Sequence, residues 1–293
     1  IKMGSLEKML LLSVTGGVPK YLEEILPFQT AEQNIIRLCY EPNGLLFQEF
    51  DKIFTNIFQR KTKTMEKMVR FIADKRMKPS ELAKKAKATF GSAFAENIRI
   101  LELAGFVCRD YSFHPDGSSS NLSYLRLKDN YLRFYLKYIE PYVLKIKQGA
   151  KTITALSELK NFESVMGLQF ENLILSNREL LLKPLGLSHF QVITMAPFFQ
   201  NKSTKNKGAC QVDLLIHSNL DVFYLCEFKC KKNLDISVIN EVKKKASVIQ
   251  LPKRSAIKSV LVYEGEIYPS HQIQMEEYFF KMISFSDLLS SNL

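Results

Sequence analysis

Apolar residues fall at helical spacing through the first sixty positions. Leu6, Met9, Leu10 and Leu12 open a stripe that Gly16, Gly17, Val18 and Pro19 interrupt, and Tyr21 to Leu26 resumes it as far as Pro27. A further helix is predicted from Leu45 to Phe58, with apolar residues at 46, 47, 50, 53, 54, 57 and 58. Residues 64–128 then give three helices and two strands. Met65 to Lys75 places Met68, Phe71 and Ile72 on one face; Pro79 and Ser80, with Ser80 as N-cap, start a short helix through Leu82, Ala83 and Ala86. The third helix runs from Phe90 to Ala104 with Phe94, Ile98 and Leu101 at i, i+4, i+7, and Gly105 ends it. Phe106–Phe113 and Leu122–Leu127 read as strands around a polar loop at 114–121. That order is the order of a winged helix-turn-helix, in which the later helix enters the major groove. Lys84, Lys85, Lys87 and Arg99 are the candidate phosphate contacts, and packing of the same fold against protein is the alternative.

Residues 129–140 form an aromatic helix whose rings suit a core, and Lys145 to Lys151, with Gly149, suits a linker. Beyond it the pattern changes to helix, strands, helix, strand. Asn161 to Leu175 is helical; Gln191–Ala196, Gln211–His217 and Asp221–Lys229 are strands. Ile236 to Ile249 is helical, Ile257–Tyr263 is a strand, and a short strand and helical turn close the chain over Ile283–Leu289. The expected organisation is multidomain: an all-α segment over 1–60, a winged helix-turn-helix (α+β) over 61–145, and an α/β domain over 150–293.

Composition sharpens this picture in two places. The 293 residues carry a formal net charge of +11. The first 150 hold 24 Lys and Arg against 16 Asp and Glu, so most of the excess lies there. A polyanionic partner, DNA, is expected, with a charged solubility surface as the plain alternative. No run of about 18 apolar residues is present, so no membrane partner is expected. Five cysteines without regular spacing and four scattered histidines do not suggest a disulfide framework or a histidine-based metal site, which fits a cytoplasmic protein. No phosphate-binding Gly-x-x-x-x-Gly-Lys-Ser/Thr loop occurs.

The chemistry is concentrated in one strand pair. Side chains alternate along a strand, so Glu227 and Lys229 point to one face at the end of an apolar run. Such charges are costly at the end of a buried strand unless they coordinate something or reach the rim. A hairpin through Ser218 and Asn219 brings Asp213 beside Glu227. Two converging carboxylates suit a hard cation, Mg²⁺ or Mn²⁺. Lys229 then orients water or stabilises negative charge in phosphodiester hydrolysis. A structural Glu227–Lys229 salt bridge is the alternative.

The Asp213, Glu227 and Lys229 pattern, in helix–β-β-β–helix–β order, resembles the PD-(D/E)xK nuclease superfamily, whose fold is restriction-endonuclease-like. Residues 16–22, 129–134, 167–171, 211–213 and 227–229 occur in the order found in the C-terminal part of archaeal and bacterial AAA+-type ATPases with a winged helix and a nuclease-like tail, and the chain resembles that family. The resemblance implies an upstream ATP-binding P-loop module, of which 1–60 is the helical lid, and therefore a chain that is part of a longer protein. Protein partners or homo-oligomers are implied through that module. It also implies that Glu171 is a third acidic residue of the metal site, an ordinary surface carboxylate being the alternative. One departure stands out: Val212, not Pro, precedes Asp213.

Overall fold

The computed structural model describes residues 3–58, 62–115, 118–150, 153–201 and 208–290. It is mixed α/β, with a helical N-terminal region and a five-stranded mixed sheet. Two compact units divide the chain: residues 1–109 with 124–173, and residues 110–123 with 174–293.

In the first unit, α1 (Ser5–Thr15) is followed by α2 (Pro19–Leu22), α3 (Ala31–Tyr40) and α4 (Leu45–Phe58). The buried face of α1 carries Met9, Leu11 and Val14; of the expected stripe Met9 is buried, Leu10 and Leu12 are half-buried and Leu6 is exposed. Thr30 caps α3, its hydroxyl accepting from Gln33 N–H while the Gln33 side chain accepts from Thr30 N–H. The side chains of Phe54, Ile57 and Phe58 lie outside the described residues. Next come α5 (Thr62–Asp74), α6 (Pro79–Lys85) and α7 (Ser92–Leu103), then the strands β1 (Val107–Phe113) and β2 (Ser119–Leu127). Lys78, not Ser80, is the N-cap of α6, because Pro79 takes the first helical position, where its missing N–H is not needed. Met77 and Leu125 exchange backbone hydrogen bonds, tying the start of this helix pair to β2.

After β2 come α8 (Asn130–Phe134), α9 (Val143–Lys147) and α10 (Phe162–Ser176). The aromatic segment is core: Tyr131 and Phe134 are fully buried, and Phe50 stacks on Tyr135 at 3.9 Å. α10 is locked to α8 by polar groups. Gln169 donates to Ser13 O and Asn130 O at 2.9 and 2.7 Å, and its Oε1 accepts from Arg133. Those buried groups are thereby satisfied, which an apolar residue at 169 could not do.

The second unit holds α11 (Leu182–Leu185) and the sheet strands β3 (Val192–Gln200), β4 (Cys210–Ser218), β5 (Val222–Leu234), β6 (Ala256–Ile267) and β7 (Lys281–Ser284). Their spatial order is the sequence order. β3, β4 and β5 are antiparallel neighbours; β5–β6 and β6–β7 are parallel. Parallel neighbours require crossovers, and α12 (Ser237–Val248) and α13 (Pro269–Tyr278) provide them, before α14 (Phe285–Ser290) closes the unit. The sequence reading did not include α13, whose apolar residues are too sparse for a stripe; only Met275 is buried along it. Val212, Leu225, Val238, Val242 and Leu261 are among the residues that form the core on the α12 side.

Candidate functional site

β4 and β5 pair antiparallel with Leu214 opposite Cys226, Leu215 opposite Leu225 and Ile216 opposite Tyr224. Asp213 lies one residue beyond the Leu214–Cys226 pair, in the stretch between Leu215 and Val212 where the register of β4 against β3 shifts. Side chains alternate along a strand, so Glu227 and Lys229 stand on one side of the sheet, and Asp213 is near enough to act on the Glu227 carboxyl. Asp213 Oδ2 accepts a hydrogen bond from Phe228 N–H at 2.9 Å, which fixes its carboxylate against β5. Glu227 is 1% exposed.

Two ammonium groups meet Glu227. Lys229 Nζ lies 2.8 Å from Glu227 Oε1, and Lys245 Nζ lies 2.6 Å from Oε2. Lys229 also bonds Glu241 at 2.8 Å, and Lys245 approaches Glu241 at 3.4 Å. Glu241 and Lys245 come from α12, whose buried face carries Val238, Ile239 and Val242. Residues 238, 241, 242 and 245 follow i, i+3, i+4, i+7 spacing, which turns both charges toward the sheet. The sequence reading missed this pair. Its signal was the same helical stripe, read for polar as well as apolar members.

Burial and the neighbouring Asp213 raise the pKa of Glu227, with Lys245 and Lys229 opposing. Burial works against the charge on Lys229, but Glu227 and Glu241 outweigh it and hold its pKa at about 12. Lys245 is raised too: burial opposes its charge, while Asp213, Glu227 and Glu241 favour it. Glu241, half-exposed, is disfavoured by burial but held down to about 2, chiefly by Lys229 and Lys245. Both lysines therefore remain ammonium ions at neutral pH.

Glu171 belongs to the first unit, on α10, where its carboxylate forms an ion pair with Arg76. Of the candidate DNA contacts, Arg99 places two guanidinium nitrogens on Glu96, each at 2.8 Å. Lys85 Nζ lies over the Phe71 ring at 5.8 Å, Lys84 is exposed, and Lys87 has φ 53° at the turn after α6. In the second unit, Ser112 of β1 donates its hydroxyl hydrogen to Phe199 O at 3.1 Å, its oxygen accepts from Phe199 N–H at 3.2 Å, and Phe113 packs edge-on against Phe198. A cavity of about 570 Å³ beside these rings is lined by Phe113, His114, Phe198 and Gln250 and holds none of the charged residues around Glu227.

Among the described residues, no group of three or more His, Cys, Asp or Glu gathers to hold a metal ion, and no helix is long and apolar enough to cross a membrane. The sequence-predicted ligands Asp213 and Glu227 are two carboxylates, and both oxygens of Glu227 are paired with ammonium groups. Two carboxylates fit Mg²⁺ or Mn²⁺, which commonly take one or two protein carboxylates and fill their remaining positions with water and substrate phosphate.

No protein-family profile matches the chain, and no curated protein does. Among solved structures, the crystal structure of protein VC1899 from Vibrio cholerae is similar at a TM-score of 0.34 and 10% identity. The match covers 86% of this chain and 55% of that one, so this chain spans little more than half the length of VC1899.

Proposed function

We propose that the second unit is a PD-(D/E)xK-type, divalent-metal-dependent phosphodiesterase acting on DNA. The observation that carries the proposal is the gathering of three residues at one point of the β4–β5 pair: Asp213 accepts from Phe228 N–H at 2.9 Å, next to Glu227, and Lys229 Nζ lies 2.8 Å from Glu227. Asp213 and Glu227 would hold Mg²⁺ or Mn²⁺. When bound, the cation supplies Lewis acidity toward a phosphoryl oxygen. Lys229 is fixed between Glu227 and Glu241 and keeps its proton, with a pKa of about 12, so it acts by charge and hydrogen bonding rather than as a base. A fixed ammonium stabilises negative charge developing on the phosphoryl group without reorganising. The proposal does not need Glu171, whose carboxylate is committed to Arg76.

The wider reading follows the sequence resemblance. The first unit's α5, α6 and α7, with the start of the β1–β2 hairpin, have winged-helix order, and residues upstream of the chain would supply an ATP-driven module. DNA is the proposed polyanion, given the net charge of +11.

The test is cleavage of plasmid DNA with Mg²⁺ or Mn²⁺. Lys229→Ala is expected to cut roughly 100-fold more slowly while melting cooperatively; unchanged cutting by that variant overturns the assignment. A second reading, a nuclease-like fold that only binds, is favoured by the ammonium ions on both Glu227 oxygens. Saturating Mn²⁺ should raise the Tm through linkage if the carboxylates hold metal. A flat response supports the binding-only reading.

A further inference from the structure

Lys229 and Lys245 touch the same carboxylate but are placed differently. Lys229 stands two residues from Glu227 on β5 and is held from the other side by Glu241 at 2.8 Å. Lys245 reaches in from α12 and makes its shortest contact, 2.6 Å, with Glu227 Oε2; its contact with Glu241 is longer, at 3.4 Å. Lys245 is therefore committed chiefly to Glu227, whereas Lys229 is shared evenly between Glu227 and Glu241.

We infer that Lys245 is a tethered counter-ion: in the metal-free protein its ammonium holds Glu227 Oε2, an oxygen that a divalent cation would take, and cation entry must displace it. The inference rests on the metal-site reading above. Glu227 is almost fully withdrawn from water, so an ionised carboxylate there needs a cation at all times. A lysine on a flexible four-carbon stem can meet that need and leave, and its side chain is already 18% exposed. Once displaced, the ammonium is confined by α12 to the rim of the site, where Glu241 and an incoming phosphate are anions it can pair with. Lys245 is thus a positioning residue that holds the site closed to metal until a cation competes successfully.

The experiment is Mn²⁺ binding to the full chain, followed by calorimetry and by the spin resonance of free Mn²⁺, without DNA. Lys245→Met should bind Mn²⁺ at least about tenfold more tightly than the unsubstituted protein, because a competing unit charge is removed at contact distance. Lys229→Met should gain less than about threefold, since Lys229 is shared between Glu227 and Glu241 and is less committed to the Glu227 charge. Lys245→Arg keeps the charge and should bind close to the unsubstituted protein. Asp213→Asn should abolish binding in each background. Lys245→Gln serves as a second neutral variant if Lys245→Met does not melt cooperatively. Mn²⁺ binding by the unsubstituted protein with no gain in either neutral variant overturns the counter-ion role and leaves the metal site standing. Equal gains from Lys245→Met and Lys229→Met also overturn it, because charge anywhere near Glu227 would then suffice. Absence of binding in every variant overturns the metal site itself, and the counter-ion role with it.

Discussion

Glu227 is shielded from water with an ammonium group on each carboxylate oxygen, whereas Glu241, one turn before Lys245 on α12, keeps nearly half its side chain in solvent. The two glutamates therefore respond to pH with opposite signs. Burial, reinforced by Asp213, raises the pKa of Glu227, so its ionisation costs stability as pH rises through and above the ordinary carboxylate range. Glu241 is depressed from 4.5 to about 2, so the stability it contributes is present above pH 4.5 and is lost as pH falls toward 2. Solvent screening at this half-exposed site keeps that contribution small. Glu241→Gln should accordingly flatten the acid limb of a urea-midpoint profile between about pH 4.5 and pH 2 while changing little at pH 7. An acid limb as steep as that of the unsubstituted protein would show that Lys229 and Lys245 do not stabilise Glu241.

The long strand β5 continues past the charged site, and its pairing with β6 shifts register between Cys230 and Asn233. Gly265 lies at this irregularity with φ 132°, and a Cβ added there would stand 1.7 Å from Lys231 O. The close approach is to backbone, so no side-chain movement can relieve it. Gly265→Ala should cost about 3 kcal/mol or more, read as a lower denaturant midpoint at unchanged slope. Because the register shift lies one residue beyond Lys229, the variant should also loosen the Glu227–Lys229 contact. At the same scale, the strands that carry Asp213 and Glu227 were legible because their apolar residues alternate or run together. The contribution of α12 was not, because Glu241 and Lys245 lie 14 and 18 residues beyond Glu227 and become its neighbours only through the crossover that parallel pairing with β6 demands.

The two compact units divide the β1–β2 hairpin, and residues 110–123 belong to the second. Its tip is engaged through Ser112 and Phe113 with β3, an edge strand of the five-stranded sheet. An occupied edge leaves fewer backbone groups to pair with another chain. Ser112→Val removes both hydrogen bonds to Phe199 and should cost about 1–2 kcal/mol. In hydrogen exchange of the full chain, protection should fall around Phe199 in β3 and stay unchanged in α5, α6 and α7. An equal loss in those helices would mean that Ser112 supports the whole chain and not the second unit alone. The exposed face of α7 offers Ala95, Glu96, Arg99 and Leu103, with Arg99 paired to Glu96, so its charge toward a phosphate backbone is weak.

By itself the sequence determined most of the helices and strands, because burial of one face writes a period of 3.6 or 2 into the apolar positions; α3 and α13 were not read from it. It also determined that Glu227 and Lys229 share a sheet face, since alternation follows from local strand geometry. Only the tertiary structure decided what surrounds them: Lys245 and Glu241 arriving from α12, Arg76 pairing with Glu171, and the hairpin tip joining β3. Those partners are set by how apolar faces pack across long stretches of chain, and a charged side chain carried along by that packing leaves no periodic mark of its own.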